Sequence, residues 1–265
     1  MKIYISADIE GVTGTTVWDE ADKPHSDYSI FSKQMTNELI AACEGAFEAG
    51  ANEIWIKDAH SSGRNIIPEL LPENTILIRG WSGHPYSMMQ EIDNTFQAVL
   101  MTGYHASDHS SGNPLSHTLT GKTVYTKIND LHASEFLINT FTAADNGVPV
   151  VFLCGDQAIC DEARSIQANL KTVAVKQGIG ASTVNISSKL ALQKIKSNVT
   201  AALEKDFSSY PIELPEYFQV EICFKDHKVA YRSGFYPGVT HKDSYTILFE
   251  TENYFDVLRL LRFIG

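Results

Sequence analysis

Five short apolar, β-rich runs, at residues 2–7, 53–57, 75–79, 97–102 and 149–154, are separated for the most part by longer stretches with helical period. Strands separated by crossover helices pair in parallel, with helices covering the faces of the sheet. The clearest helix spans residues 28–49, where Phe31, Met35, Leu39, Cys43 and Phe47 recur every four residues and Gly50 supplies a stop. A second is expected from near Leu131 to Asn146-Gly147, carrying Glu135, Phe136, Leu137, Ile138 and Phe141. Thr118-Leu119-Thr120-Gly121-Lys122-Thr123-Val124 combines β-branched residues with a central Gly and reads as a hairpin, which makes the sheet mixed. After about residue 180 the character changes, to a helix at 188–205, strands near 219–224, 228–232 and 245–250, and a last helix at 254–263. Residues 211–215 read as a connection, not an interdomain linker. The expectation is one α/β domain with a mixed, mostly parallel central sheet flanked by helices. Residues 1–180 form its core and 181–265 a C-terminal α+β extension of the same domain.

The chain is 43% hydrophobic over 265 residues, enough for a substantial core. A net charge of −11 argues against a nucleic-acid partner, whose phosphates are neutralised by Lys and Arg. No apolar run approaches membrane-spanning length, and Ile3-Tyr4-Ile5 is too short for a signal peptide. Cys43, Cys154, Cys160 and Cys223 lack the paired spacing of a zinc knuckle and read as reduced thiols, so a cytoplasmic location is expected.

Open α/β sheets place ligands beyond the carboxyl ends of their strands. Polar residues at those ends are therefore informative. Asp8-Ile9-Glu10 follows the first strand, and i, i+2 spacing aims both carboxylates to one side if the chain stays extended. The second strand ends in Asp58-Ala59-His60 and the fourth in Gly103-Tyr104-His105. Oxygen and imidazole donors at three strand ends suit zinc, manganese or cobalt better than calcium or magnesium. Taken singly, each residue has a structural alternative: Asp and Glu after a strand also cap helices or close turns, and a lone His is often a hydrogen-bonded core residue. His117, in Pro114-Leu115-Ser116-His117-Thr118, is a candidate acid, base or ligand, with a strand histidine as the alternative. Helical periodicity alone gives no direction for Glu135. Asp58 reads equally as a group orienting a ligand or as a loop residue. Lys176 and Gln177 read as surface residues with substrate contact the alternative, and His109 and Asp156 as loop residues.

Together, Ser6-Ala7-Asp8-Ile9-Glu10-Gly11, Asp58-Ala59-His60-Ser61, Gly103-Tyr104-His105-Ala106, Leu115-Ser116-His117 and Ala174-Val175-Lys176-Gln177 resemble the bacterial D-aminopeptidase family of dizinc peptidases. The resemblance is strong over roughly the first 180 residues and looser beyond. It implies that Asp8 bridges two zinc ions, one completed by Glu10 and His60, the other by His105 and Glu135. It also implies that His117 is the further active-site histidine. The resemblance further implies short peptides with an N-terminal D-residue such as D-Ala as substrates, and a ring-shaped homo-oligomer such as a decamer. The loop from Ser107 to Asn113 is one residue longer than the family pattern, and Trp18 and Trp81 are placed to alter a pocket wall.

The chemistry implied is attack on the peptide carbonyl by a hydroxide held between the two metals, with His117 as acid, base, oxyanion stabiliser or nucleophile. The competing readings are a two-metal amidase or phosphoesterase and a non-catalytic metal- or peptide-binding protein.

Overall fold

The computed structural model describes residues 1–207, 210 and 212–264; Pro211 of the expected connection lies outside them. The chain runs through β1 (Lys2–Ala7), α1 (Trp18–Ala21), α2 (Tyr28–Glu48), β2 (Glu53–Asp58), β3 (Thr75–Ile78), β4 (Ala98–Tyr104), β5 (Thr123–Ile128) and β6 (Leu131–His132). It continues through α3 (Glu135–Asp145), β7 (Val150–Asp156), α4 (Gln157–Ile166), β8 (Lys171–Ile179), β9 (Ser182–Asn185) and α5 (Ser188–Leu203). The last elements are β10 (Phe218–Phe224), α6 (His227–Ser233), β11 (Thr240–His241), β12 (Thr246–Thr251) and α7 (Tyr254–Ile264).

Seven strands make a sheet ordered β3-β2-β1-β4-β7-β8-β9, parallel throughout except for the antiparallel edge pair β8–β9. The apolar runs form its centre because they are covered on both faces: Ile3, Ile5, Ile54 and Ile56 are fully buried, each worth about 1.5–3 kcal/mol of burial. Helices α2 and α5 pack together over one face. A second, antiparallel sheet is ordered β11-β12-β10-β5-β6. With α3 and α7 it encloses its own core of Leu137, Phe141, Phe218, Val220, Phe249, Val257 and Leu261.

In the large sheet β1 has β2 on one side and β4 on the other, so the crossovers leaving β1 diverge and open a crevice above its carboxyl end. Two glycines draw that end unusually close to β4. Gly103 has φ +69°, and a Cβ on it would lie 2.1 Å from Asp8 O; a Cβ on Gly11 would lie 1.7 Å from Tyr104 O. The approach is fixed by Asp8 N donating to Thr102 O (2.8 Å) and Gly11 N to Gly103 O (2.8 Å).

Four sequence expectations need correction. The Thr118–Val124 hairpin is replaced by an isolated bridge between Thr118 and Thr120, and β5 turns into β6 through Asn129 and Asp130, both at positive φ. The helix expected from Leu131 begins at Glu135: Leu131 and His132 pair with β5, and Ser134 caps α3 by accepting from Leu137 N (3.1 Å). Residues 228–232 are helical, in α6, because Asp226 caps Lys228 N (2.9 Å) and turns the chain. The second sheet also draws β5 and β6 from before residue 180, while β9 and α5, from after it, belong to the first sheet's layers.

Candidate metal centre

Asp8 and Glu10 follow β1, His60 lies just past β2, His105 just past β4, Glu135 opens α3, and His117 comes from the loop before β5. All converge on the crevice. The first five are buried, none more than 5% exposed, whereas the His117 side chain is 15% exposed. His60 Nδ1 is 2.9 Å from Glu10 Oε1 and 3.4 Å from Asp8 Oδ1. His105 Nε2 is 3.6 Å from Asp8 Oδ2 and 3.3 Å from Glu135 Oε2. Two donor sets result, Asp8–Glu10–His60 and Asp8–His105–Glu135, each with ligand atoms within 4.8 Å of one another and with Asp8 common to both. A third set, Glu10–His105–His117, overlaps them. His117 Nε2 lies 3.6 Å from Glu135 Oε1 and 3.9 Å from Glu10 Oε1, and its ring stacks on His105 with centroids 4.4 Å apart.

Each imidazole turns its outer nitrogen to a backbone carbonyl: His60 Nε2 to Ala21 O (3.1 Å), His105 Nδ1 to Ala106 O (3.0 Å) and His117 Nδ1 to Leu115 O (2.9 Å). A carbonyl only accepts, so those nitrogens carry a proton, and the inner nitrogens that face the carboxylates are the ones that would exchange a proton for a metal ion. Among the described residues Glu10 Oε2 and His105 Nε2 are buried without a hydrogen-bond partner. Orphaned polar atoms in a buried oxygen and imidazole set fit a divalent cation.

In the metal-free protein the three carboxylates would be balanced by protons. Burial works against a charged imidazole, but Glu10 and Asp8 hold the His60 pKa well above its usual value, and Glu135 brings His105 up to about 10. Burial also works against charged carboxylates; the histidines nonetheless hold Glu10 well below the ordinary range and Glu135 at about 2. Asp8 moves the other way, pushed up by burial and by the Glu10 charge.

Around these six lies a buried hydrogen-bond frame. Asp58 accepts from Ile66 N (2.7 Å) and from Asn65 Nδ2 (2.8 Å), and Asn65 Nδ2 also donates to His60 O (2.6 Å). Asp58 therefore fixes the His60 loop. Lys176 is not at the surface: it is 3% exposed, and its Nζ donates to Glu10 O and Thr15 O. Asn113 Nδ2 donates to the same Glu10 O (3.0 Å) and to Asp156 Oδ2 (3.0 Å), which also accepts from Ala106 N (2.8 Å). Asp156 is thus more than a loop residue. It caps α4 through Ile159 N (2.9 Å) and ties the β1 and β4 loops together. It too stands at the end of an apolar strand, the signal that singled out Asp8. Asn113 and Asn65 carry no such signal. His109 lies outside the cluster, stacked on His132 at 4.2 Å.

The cluster floors a cavity of about 500 Å³, whose walls include Trp18, Asp22, Trp81, Tyr86, Leu258 and Arg262. Trp18 and Trp81 are therefore pocket-wall residues, as their positions suggested, and Trp18 meets the His117 ring at 5.3 Å.

A switch-point crevice in a parallel sheet, floored by buried carboxylates and imidazoles, defines a metal-dependent hydrolase. The model of the family described as D-aminopeptidase matches residues 1–263, and the chain belongs to that family. It is a hydrolase of peptide bonds, an aminopeptidase. It is 31% identical over 247 residues to the D-aminopeptidase of Bacillus subtilis (strain 168), covering 93% of this chain and 89% of that protein. Its fold is similar to that of the solved Zn-dependent D-aminopeptidase DppA from Bacillus subtilis, described as a self-compartmentalizing protease. The TM-score is 0.94 at 27% identity, over 100% of this chain and 96% of the other.

Proposed function

We propose that the protein is a two-zinc aminopeptidase that removes N-terminal D-residues, such as D-Ala, from short peptides. Asp8 is the ligand common to both ions, Glu10 and His60 complete one set, and His105 and Glu135 the other. The observation that carries this reading is the pair of donor sets meeting at Asp8. The orphaned Glu10 Oε2 and His105 Nε2 support it, as does the zinc dependence of the structural relative. Manganese and cobalt suit the same donors.

Zinc held there supplies Lewis acidity toward water and toward the scissile carbonyl. The free α-amine of the substrate, as the neutral amine, would be a ligand of metal ions held by these residues, which would direct cleavage to the N-terminal residue. The chain's own groups do the rest. His117, fixed through Nδ1 on Leu115 O and more open to the cavity than the other five, presents Nε2 where it can hold the proton that the leaving amine requires or steady a developing oxyanion. Trp18 and Trp81 supply rigid wall surface against which the side chain of a D-residue is read.

Purified enzyme assayed on matched D-Ala and L-Ala peptides and on a phosphate ester, before and after chelation and zinc return, tests this reading. Cleavage of D-Ala peptides alone, lost on chelation and restored by zinc, is expected. Chelator-insensitive peptide cleavage overturns it. His117→Ala is expected to lower kcat by roughly 10²–10⁴ with zinc content intact. In Asp8→Asn both ions are expected to be lost, and in Glu10→Gln chiefly one, counted as zinc per subunit.

A ring-shaped homo-oligomer such as a decamer and a cytoplasmic location complete the proposal. The structural relative is described as self-compartmentalizing, and Tyr231, Phe235 and Phe263 offer exposed apolar surface for a neighbouring subunit. All four cysteines are free, which suits a reducing compartment, and no helix among the described residues is long and apolar enough to cross a membrane.

A further inference from the structure

The cavity is electrically lopsided. Asp8, Glu10 and Glu135 lie at its floor with Asp22 on the wall, and Arg262 is the one Lys or Arg among its lining residues. Arg262 belongs to the last turn of α7. One turn earlier Arg259 pairs with Asp256 at 2.9 Å, whereas Arg262 makes no ion pair among the described residues. Its Nε donates to Gly83 O (3.4 Å), which leans the side chain on the loop that also carries Trp81 and Tyr86 and leaves the terminal nitrogens of the fork uncommitted. Leu258 and Leu261, on the same helix, and Trp81 provide apolar wall beside it.

A guanidinium with free donors, on a cavity wall that carries no other Lys or Arg, is a seat for a planar anion. A volume of about 500 Å³ lies in the range of sites that enclose small ligands, here a peptide of a few residues. We propose that Arg262 binds the C-terminal carboxylate of the peptide whose amino end lies over Asp8, Glu10 and Glu135. The site then selects short peptides with a free carboxylate, and rejects amidated ones and those whose chain continues past the arginine. A peptide entering backwards sets its ammonium against the Arg262 guanidinium, so the same residue helps to fix orientation. This inference rests on the aminopeptidase reading and specifies the far end of its substrate.

The test uses the zinc-loaded enzyme and alanine peptides of two to five residues beginning with D-Ala, each as the free acid and as the C-terminal amide. At the preferred length, kcat/KM is expected to favour the acid by roughly 10- to 100-fold, the scale of a charge-assisted hydrogen-bonded pair, mainly through KM. In R262M the acid-to-amide ratio is expected to collapse toward one, and R262K to restore part of it, with zinc content and thermal midpoint matching the parent enzyme. A ratio near one in the parent, or a large ratio that survives R262M, overturns the assignment of Arg262 while leaving the aminopeptidase reading intact. Cleavage of neither acid nor amide overturns both.

Discussion

Lys176 is a buried cation that touches no carboxylate directly; its ammonium is spent on two backbone carbonyls, Glu10 O and Thr15 O. Burial lowers its pKa to about 8, so at neutral pH it is still charged. Because Glu10 O also receives Asn113, the Lys176 side chain holds the backbone from which the Glu10 carboxylate projects. Replacing Lys176 by Met keeps the volume but removes a charge-assisted donor from each of two carbonyls, a loss of about 3 kcal/mol or more in folding stability. Urea unfolding of the K176M protein measures that loss, and weaker zinc retention at Glu10 is expected with it. A variant as stable as the parent, with unaltered zinc affinity, would remove Lys176 from any positioning role. The residue was legible as a polar position after a strand but not as a buried one. Its burial depends on the Asn113 loop and on the 8–16 segment folding over it from distant parts of the sequence.

At the scale of elements, the strand ends carried most of the site in the sequence itself. Asp8, His60 and His105 stand within two residues of β1, β2 and β4, strands whose apolar runs are unmistakable. Glu135 was not legible from periodicity, because its direction is set by the Ser134 cap and by β6 delivering α3 to the crevice, and β6 is only two residues long. Likewise residues 228–232 read as a strand and are helical because Asp226 caps them, and the pairing of β5 with β10 spans some 90 residues that no local pattern reports. The closeness of β1 and β4, on which the proposed shared role of Asp8 depends, is an element-level property with a single-atom test. Gly103→Ala places a methyl group against Asp8 O in a left-handed backbone conformation, and either the strand ends separate or the turn distorts. The expected cost is about 3 kcal/mol or more, with loss of zinc from both donor sets. Gly121→Ala, where a methyl group meets nothing within 4 Å, is the control and is expected to shift stability by about 0.5 kcal/mol at most. Equal unfolding midpoints for the two variants would show that the approach of β1 to β4 is slack.

For the whole molecule, the two sheets meet across the site, since the parallel sheet supplies Asp8, Glu10, His60 and His105 while α3, delivered by the antiparallel sheet, supplies Glu135. A cation at the junction therefore bears on global stability, and the protons that replace it in the metal-free protein set how that stability follows pH. His105, raised to about 10 against an unfolded value near 6.5, contributes stability that is complete below about pH 6.5 and is lost as pH rises through its folded value; His60 acts in the same direction. Glu135, lowered to about 2, contributes stability present above about pH 4.5 and lost as pH falls through 2, outside the neutral range. Asp8, raised by burial and by Glu10, also favours the folded state less as it ionises. Lys57 and Lys176, both lowered to about 8, oppose this only above pH 8, where the unfolded chain binds the extra protons. Between pH 6.5 and 8 the metal-free protein is thus expected to lose thermal stability. Zinc at the proposed site would displace the imidazole protons and is expected to bind more tightly over the same interval, by about 1.4 kcal/mol per pH unit for each proton released. Thermal unfolding with and without zinc should show the two midpoints diverging from pH 6.5 to 8. A gap that stays constant across that range would mean that protons and metal do not compete at these histidines.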